Sequence, residues 1–284
     1  MRRVLIAVVV ALLGLVLVPA PAGEAQVPTG YVALGDSFTA GPLVPSQSLN
    51  PLGCLRSSND YPAVVARQLG LALRDVSCSG AQTRHMTESQ GVTPGPNAPQ
   101  FSALRPDTAV VTLGIGGNDI GFSGIVQNCA TINPFGRPCR DDYVVNGVDE
   151  LRNRIAATGP RIAAVIQGIR ARSPQARIFV VGYPAILPET NFGCWPVMPL
   201  TFTDVGYLRG IEKALNTMLA NRAAANGARY VDTYTPSIGR DACKSPTVRW
   251  VEPILPANPA APVHPNARGL ARMGTLVANA IRAS

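Results

Sequence analysis

The sequence has 284 residues, of which 46% are hydrophobic and 15% are charged, and its formal net charge is +8. This composition allows a buried core and excludes a chain that is disordered over its whole length. The basic residues are scattered rather than grouped, which indicates a solvated surface and no nucleic-acid partner, while a weak contact with an anionic envelope surface agrees with the charge.

The N-terminus has the order of a secretory signal peptide. Two arginines precede an apolar run over positions 4–18, and small residues follow it. The run is shorter than the roughly 20 apolar residues of a spanning helix, so we expect cleavage after Ala22 or Ala25 rather than a membrane anchor. Residues 1–25 are therefore predicted to be a signal peptide and residues 26–284 one secreted domain, extracellular or associated with the cell wall.

Short apolar runs alternate with helical patterns along the rest of the chain. The runs predict strands that are buried on both faces, and the apolar stripes of the helices are expected to face the core. This alternation predicts a single α/β domain with a five-stranded parallel sheet and helices on both faces. The predicted strands cover residues 31–35, 73–77, 108–114, 177–183 and 229–233, and the predicted helices cover residues 61–69, 148–172, 204–225 and 266 or 267 to 281.

Two glycine-containing turns after predicted strands carry polar side chains. Ser37 follows Gly35 and Asp36 at the end of the first strand, a position suited to a nucleophile. Asn118 lies in the glycine turn after the third strand, where its amide can donate to a developing negative oxygen, although Asn118 and Asp119 can equally cap a helix. The carboxyl ends of parallel strands share one edge of a sheet, so we look for the chemistry there.

A glycine and a histidine complete this group of candidates. Gly80 follows the second predicted strand, and its N–H can be a further donor, although a glycine there can also mean only a turn. A serine nucleophile needs a base, and the sequence has only two histidines. His264, just before the last helix, is the better candidate, and His85, inside a predicted helix, is its competitor.

In chain order, Ser37, Gly80, Asn118 and His264 stand in the motifs GDSF, SGA, GGND and VHPN. With these motifs the chain resembles the GDSL or SGNH hydrolase family over essentially the whole mature sequence. The resemblance implies a flavodoxin-like three-layer α/β/α fold and ester hydrolysis, for which no cofactor is expected. It makes Ser37 the nucleophile, His264 the general base, and the Ser37 N–H, the Gly80 N–H and the Asn118 side chain the oxyanion hole.

Six cysteines form an even set in a chain predicted to be exported, which predicts three disulfides. The count leaves the pairing open, and the lack of a Cys-x-x-Cys pair together with only two histidines indicates no metal site. The chain is also similar to the secreted actinobacterial branch of lipases, phospholipases and esterases, in which consecutive cysteines pair. That resemblance implies the pairs Cys54 with Cys78, Cys129 with Cys139, and Cys194 with Cys243.

One position departs from the family pattern. The family usually has an Asp three residues before the catalytic His, whereas this sequence has Ala261 there. Some secreted members of the branch use a Ser-His dyad in which a backbone carbonyl accepts a hydrogen bond from the ring, and Ala261 or Pro262 would supply it here. An acid from elsewhere, such as Asp232 or Glu252, is the alternative.

The resemblance favours a monomeric serine ester hydrolase that acts on acyl lipids or small esters through an acyl-enzyme. We expect either an apolar acyl groove or ordinary loop packing from four parts of the chain: Phe38, Leu43, Val44 and the segment 184–195. A carbohydrate O-deacetylase of envelope polysaccharide is the alternative among enzymes. An inactive hydrolase fold that binds the envelope is the alternative outside them.

Overall fold

The computed structural model describes residues 30–284 of the chain. The signal peptide predicted for residues 1–25 lies outside this part, as does the start of the predicted domain at residue 26. Among the helices of residues 30–284, none combines the length and the apolar composition that crossing a bilayer requires.

A parallel sheet forms the centre of the fold. The strands of the described chain are β1 (Gly30–Gly35), β2 (Ala72–Asp75), β3 (Thr108–Gly114), β4 (Val144–Val145), β5 (Val148–Asp149), β6 (Arg177–Val181) and β7 (Arg229–Val231). Five of them lie in the parallel order β2-β1-β3-β6-β7, while β4 and β5 form a small antiparallel pair. The five-strand order is the one found in flavodoxin-like folds, so the predicted fold class is confirmed.

Helices follow the strands and cover both faces of the sheet. They are α1 (Ser37–Ala40), α2 (Tyr61–Leu69), α3 (Phe122–Cys129), α4 (Arg140–Tyr143), α5 (Glu150–Arg172), α6 (Phe202–Ala225), α7 (Tyr234–Ser237) and α8 (Ala267–Arg282). Capping side chains set two of the helix starts. Asp149 accepts the Arg152 N–H at 3.1 Å before α5, and Thr201 accepts the Asp204 N–H at 3.1 Å before α6. The two helices therefore begin two residues away from their predicted starts.

Successive strand residues point to opposite faces of the sheet and so build two core layers. Tyr31 and Ala33 of β1 pack in the layer that contains α2 and α8. Val32 and Leu34 pack in the layer that contains α5 and α6. The apolar stripe of α5 is buried there, as predicted, in a three-layer α/β/α arrangement.

The strand β2 departs from the prediction that all five strands are buried on both faces. Ala72 and Arg74 are exposed, while Leu73 is half-buried against the layer of α2 and α8. The reason is the position of β2 at the edge of the sheet, where α2 covers one face and the other face meets solvent.

Three disulfides tie together segments that follow the strands. Their bonds join Cys54 to Cys78, Cys129 to Cys139, and Cys194 to Cys243. This is the consecutive pairing implied by the resemblance. The bonds close segments with sequence separations of 10 to 49 residues, and each stabilises the fold by about 3 to 4 kcal/mol in the chain-entropy account.

Gly274 marks the point where α8 approaches α2 most tightly. A Cβ at Gly274 would lie 2.6 Å from Val64 side-chain atoms and 2.9 Å from the Tyr61 backbone oxygen. We expect Gly274→Ala to lower the free energy of unfolding by about 1 to 3 kcal/mol through overpacking, in spite of the better helix propensity of Ala. Thermal unfolding measures the change.

Gly124→Ala in α3 is the matched control, because a Cβ there meets open space. Its stability should stay the same or rise by about 0.5 to 1 kcal/mol. Equal effects of the two substitutions would contradict the close packing of α2 and α8.

Candidate active site

Ser37 begins the short helix α1 directly after β1. Asp36 caps this helix by accepting the Phe38 N–H at 2.9 Å, and the Asp36 N–H donates to the Gly114 oxygen of β3 at 2.9 Å. Ser37 is 8% exposed and lines an apolar pocket. The end of the strand and the cap together hold the hydroxyl at the carboxyl edge of the sheet.

The imidazole of His264 lies against this hydroxyl. His264 Nε2 is 2.8 Å from Ser37 Oγ, and His264 Nδ1 is 2.7 Å from the backbone oxygen of Pro262. A carbonyl can only accept, so Nδ1 carries the hydrogen and Nε2 has the lone pair that accepts the hydroxyl proton. Burial lowers the pKa of His264 below its ordinary value of 6.5, and the Pro262 carbonyl opposes part of this shift.

The conformation of Val263 brings the Pro262 oxygen back to the ring. Val263 has a φ of 59°, in the left-handed region that β-branched residues rarely adopt, and its side chain is only 2% exposed. Ala261, the other candidate for the carbonyl, does not serve the ring. The Ala261 oxygen instead accepts the backbone N–H of His264 at 3.2 Å.

Within the described part of the chain, neither alternative acid hydrogen-bonds to the His264 ring. Asp232 accepts two backbone N–H groups at the start of α7. Glu252 forms a buried ion pair with Arg249 at 2.6 Å, and its backbone N–H donates to the His264 oxygen at 2.9 Å. Both carboxylates are thus held by other donors, and Glu252 supports the segment that carries His264.

Asn118 and Gly80 lie in the loops after β3 and β2, on either side of the loop that carries Ser37. Asn118 Nδ2 donates one hydrogen to the Ala81 oxygen at 2.9 Å, which leaves its second hydrogen for a ligand. Asn118 and Ser37 line the same pocket. Gly80 is exposed and has a φ of 78°, a conformation that favours glycine.

Asp119 and His85 have structural partners in the same loops. Asp119 accepts the Thr83 N–H at 3.0 Å and the Thr83 hydroxyl at 2.5 Å, so it joins the β3 and β2 loops instead of capping a helix. His85 Nδ1 accepts the Gln82 N–H at 3.0 Å. In place of the helix predicted around His85, this segment forms only a 3₁₀ turn over Thr83–Met86.

Comparison with known proteins shows a family match and several similar sequences. The GDSL-like Lipase/Acylhydrolase family matches residues 33–272. The chain belongs to this family. A protein named Lipase 2 from Streptomyces coelicolor is 43% identical over 286 residues, which cover 96% of this chain and 95% of the relative. A protein named Esterase from Streptomyces scabiei is 31% identical over 281 residues, which cover 85% and 81%.

Solved structures of the family share the fold of this GDSL hydrolase. Phospholipase A1 from Streptomyces albidoflavus NA297 superposes with a TM-score of 0.73 at 27% identity, covering 89% of this chain and 99% of its own. An extracellular lipase from Streptomyces rimosus has the same TM-score and coverage at 26% identity. The family membership confirms a carboxylic ester hydrolase.

A buried acid and tyrosine in this hydrolase's site were not indicated by the sequence. The Tyr183 hydroxyl donates to Asp36 Oδ2 at 2.5 Å and accepts the Gly117 N–H at 2.8 Å. Burial raises the pKa of Asp36 from 3.8 to about 7, and the hydrogen bonds from Tyr183 and Phe38 oppose this rise. Tyr183 connects the loop of Ser37 to the loop of Asn118. The position of Tyr183 just after β6, at the carboxyl edge of the sheet, is the sequence feature that could have indicated its place in the site.

A largely apolar pocket that opens to solvent lies beside Ser37. Phe38 and part of the segment 184–195 line it, as predicted for an acyl groove. Leu43 and Val44 do not, because Leu43 is 51% exposed and Val44 is buried in the core layer of α2 and α8. Helices that the sequence did not assign to the groove supply further walls: Ile125, Val126, Leu208, Ile211 and Leu215.

The ion pair of Glu252 makes stability depend on pH. Burial alone would raise the pKa of Glu252, but hydrogen bonds from Arg249, Asn258 and Asn266 lower it from 4.5 to about 2. A carboxyl whose pKa is lower in the folded chain stabilises the fold above its unfolded pKa, and this contribution is lost as the pH falls from 4.5 towards 2.

We expect Glu252→Gln to reduce the free energy of unfolding at pH 7 by about 3 kcal/mol, because the substitution leaves the buried Arg249 charge without its partner. The difference from the wild type should shrink as the pH falls towards 2. Thermal unfolding across this range measures both effects.

Glu88→Gln, which removes an exposed 3.7 Å ion pair with Arg84, is the control and should change stability by less than about 0.5 kcal/mol. A deficit of Glu252→Gln that stays constant with pH would contradict the lowered pKa of Glu252.

Proposed function

We propose that the protein is a secreted esterase or lipase that hydrolyses esters of apolar acyl chains through a dyad of Ser37 and His264. The observation that carries this proposal is the 2.8 Å contact between Ser37 Oγ and His264 Nε2 beside the apolar pocket. The side chains that line the pocket are mostly apolar and suit an acyl chain. When the acyl chain occupies the pocket, the ester carbonyl lies at the Ser37 hydroxyl.

His264 acts as the general base of the proposed reaction. Its Nε2 takes the hydroxyl proton while Ser37 Oγ attacks the carbonyl carbon, and the resulting imidazolium returns the proton to the leaving alcohol. The products of this half are the free alcohol and an acyl group bonded to Ser37. Water repeats the sequence, which releases the acid and restores the Ser37 hydroxyl.

Three donors stabilise the oxyanion in this proposal: the N–H groups of Ser37 and Gly80 and the second Nδ2 hydrogen of Asn118. The support is their position in adjacent loops and the remaining hydrogen of the Asn118 amide. The Pro262 carbonyl keeps Nδ1 protonated, so the ring presents Nε2 to the hydroxyl throughout.

Secretion is part of the proposal. Three disulfides indicate an oxidising compartment, and one solved relative is an extracellular lipase. The signal peptide predicted for residues 1–25 agrees with this location. A monomer, with only weak contact to an anionic envelope surface, is the expected form.

The many apolar side chains that line the pocket favour acyl chains longer than acetyl, which argues against a carbohydrate O-deacetylase. An inactive envelope-binding protein would have no need of a serine hydroxyl hydrogen-bonded to a neutral imidazole. Both alternatives remain as outcomes of the kinetic test below.

We expect Asn118→Ala to lower kcat on p-nitrophenyl octanoate by about 10² to 10³, the usual loss for one oxyanion donor, with a smaller change in KM. Ser37→Ala provides the blank and should be inactive with nearly unchanged thermal stability. Ester hydrolysis by Ser37→Ala near the wild-type rate would overturn the nucleophile assignment. Hydrolysis of p-nitrophenyl acetate but not of the octanoate would favour the deacetylase.

The acid limb of kcat/KM should lie below pH 6.5, because the reaction needs neutral His264 and burial lowers its pKa below that value. Activity is then lost as the falling pH protonates the ring. A pH profile of p-nitrophenyl octanoate hydrolysis measures the limb.

His85→Gln is the control for this profile, since His85 is the other histidine and lies in a structural turn. The limb should not move in His85→Gln. A limb above pH 6.5 would contradict the lowered pKa of His264.

A further inference from the structure

Glu212 is an acidic side chain in a pocket wall that is otherwise apolar. It lies on α6 and lines the pocket together with Leu208 and Leu215, which stand four residues before and three residues after it on the same helix face. The other polar side chains of the lining, those of Asp36, Ser37, Asn118 and Tyr183, belong to the reacting centre.

The carboxyl of Glu212 has few partners. The Ile186 N–H donates to both of its oxygens, each at 3.3 Å, the long end of the hydrogen-bond range. No other hydrogen bond reaches Glu212 within residues 30–284, although a carboxyl group can take part in about four. The neighbouring cation, Lys213, is paired with Glu189 at 2.6 Å.

The surroundings also disfavour a charge on this group. Burial raises the pKa of Glu212 well above its ordinary value, and the N–H of Ile186 opposes the rise. The carboxylates of Glu189 and Asp241 act in the same direction as burial, while Lys213 acts against it. The pocket therefore holds a poorly satisfied carboxyl group that offers both a donor and an acceptor when it is protonated.

Glu212 stands one helical turn from a residue that binds the backbone of Tyr183. Asn216, four residues later on α6, exchanges hydrogen bonds of 2.8 and 2.9 Å with the backbone of Tyr183, whose hydroxyl binds Asp36. An acyl chain that runs from Ser37 along α6 would thus meet Glu212 beyond its first carbons.

A plain alkyl chain over Glu212 would remove water from the carboxyl without replacing the lost hydrogen bonds, so the contact would be unfavourable. A hydroxyl group on the chain can donate and accept, so it would bind the carboxyl in either protonation state. We propose, on the basis of the ester-hydrolase function above, that Glu212 determines specificity by binding a hydroxyl group carried along the acyl chain, and that the preferred substrates are esters of hydroxylated fatty acids.

The test compares ethyl decanoate with ethyl hydroxydecanoates that carry the hydroxyl at each carbon from C3 to C10, with the released acid titrated. For the wild type, we expect kcat/KM at one or two neighbouring positions to exceed that of ethyl decanoate by about tenfold. Glu212→Met should abolish this preference and accelerate hydrolysis of plain ethyl decanoate. Glu212→Gln, whose amide still donates and accepts, should retain part of the preference.

Leu215→Met is the matched control, because it alters the same wall without a polar group and should leave the hydroxyl preference unchanged. Thermal unfolding of each variant separates misfolding from altered specificity. The wild-type protein alone already tests the proposal. If no hydroxylated ester has a higher kcat/KM than ethyl decanoate, the proposal is overturned. An unchanged preference in folded Glu212→Met overturns it as well.

Activity on plain ethyl decanoate separates the ester-hydrolase function from the hydroxyl preference. If the wild type hydrolyses ethyl decanoate and Ser37→Ala does not, the ester-hydrolase function stands whatever the hydroxyl profile shows. If the wild type hydrolyses none of these esters, the proposed function fails first.

Discussion

The hydrogen bond between His264 Nδ1 and the Pro262 carbonyl is the constraint around which this site is organised. A backbone oxygen sets the tautomer of the ring as a carboxylate would, but it adds no charge, so burial can lower the pKa of His264 without opposition from a neighbouring anion. The orientation of the His264 ring is therefore a property of the backbone, and the left-handed Val263 between the two residues provides it. Such a conformation persists only where the surrounding structure holds it.

The segment that ends in this turn is held by a single connected network. Glu252 pairs with Arg249, receives a hydrogen bond of 2.6 Å from Asn266 Nδ2, and donates its backbone N–H to His264. Asn266 in turn caps α8 by accepting the Gly269 N–H at 3.0 Å. In the proposed mechanism Glu252 thus supports the position of His264, which is a different role from that of a relocated triad acid.

On the other side of the site, hydrogen bonds join the loops after β1, β2 and β3. Tyr183 connects Asp36 to the Asn118 loop, Asn118 reaches the loop after β2, and the Gln100 amide binds both the N–H and the oxygen of Gly35. In the proposed mechanism, donors held in this way need little reorganisation when charge develops on a substrate, which is the basis of electrostatic preorganisation. The pocket beyond them is apolar except at Glu212, so its polar side chains occur around Ser37 and at one further point on α6.

The sequence by itself determined the fold class, the five strands and the main helices, because buried strands and amphipathic helices each have a characteristic local spacing of apolar residues. It also made Ser37, Asn118 and His264 candidates for the site, since each stands in a short motif at a strand end or a helix start. Only the tertiary structure decided which carbonyl serves the ring. Ala261 and Pro262 offer the same chemical group, and the φ of Val263 selects between them. The same holds for Tyr183 and Glu212, because their roles depend on contacts with segments far away in the chain, such as the bond between Tyr183 and Asp36 across 147 residues. Local patterns carry no information about such contacts until the sheet has brought those segments to one edge.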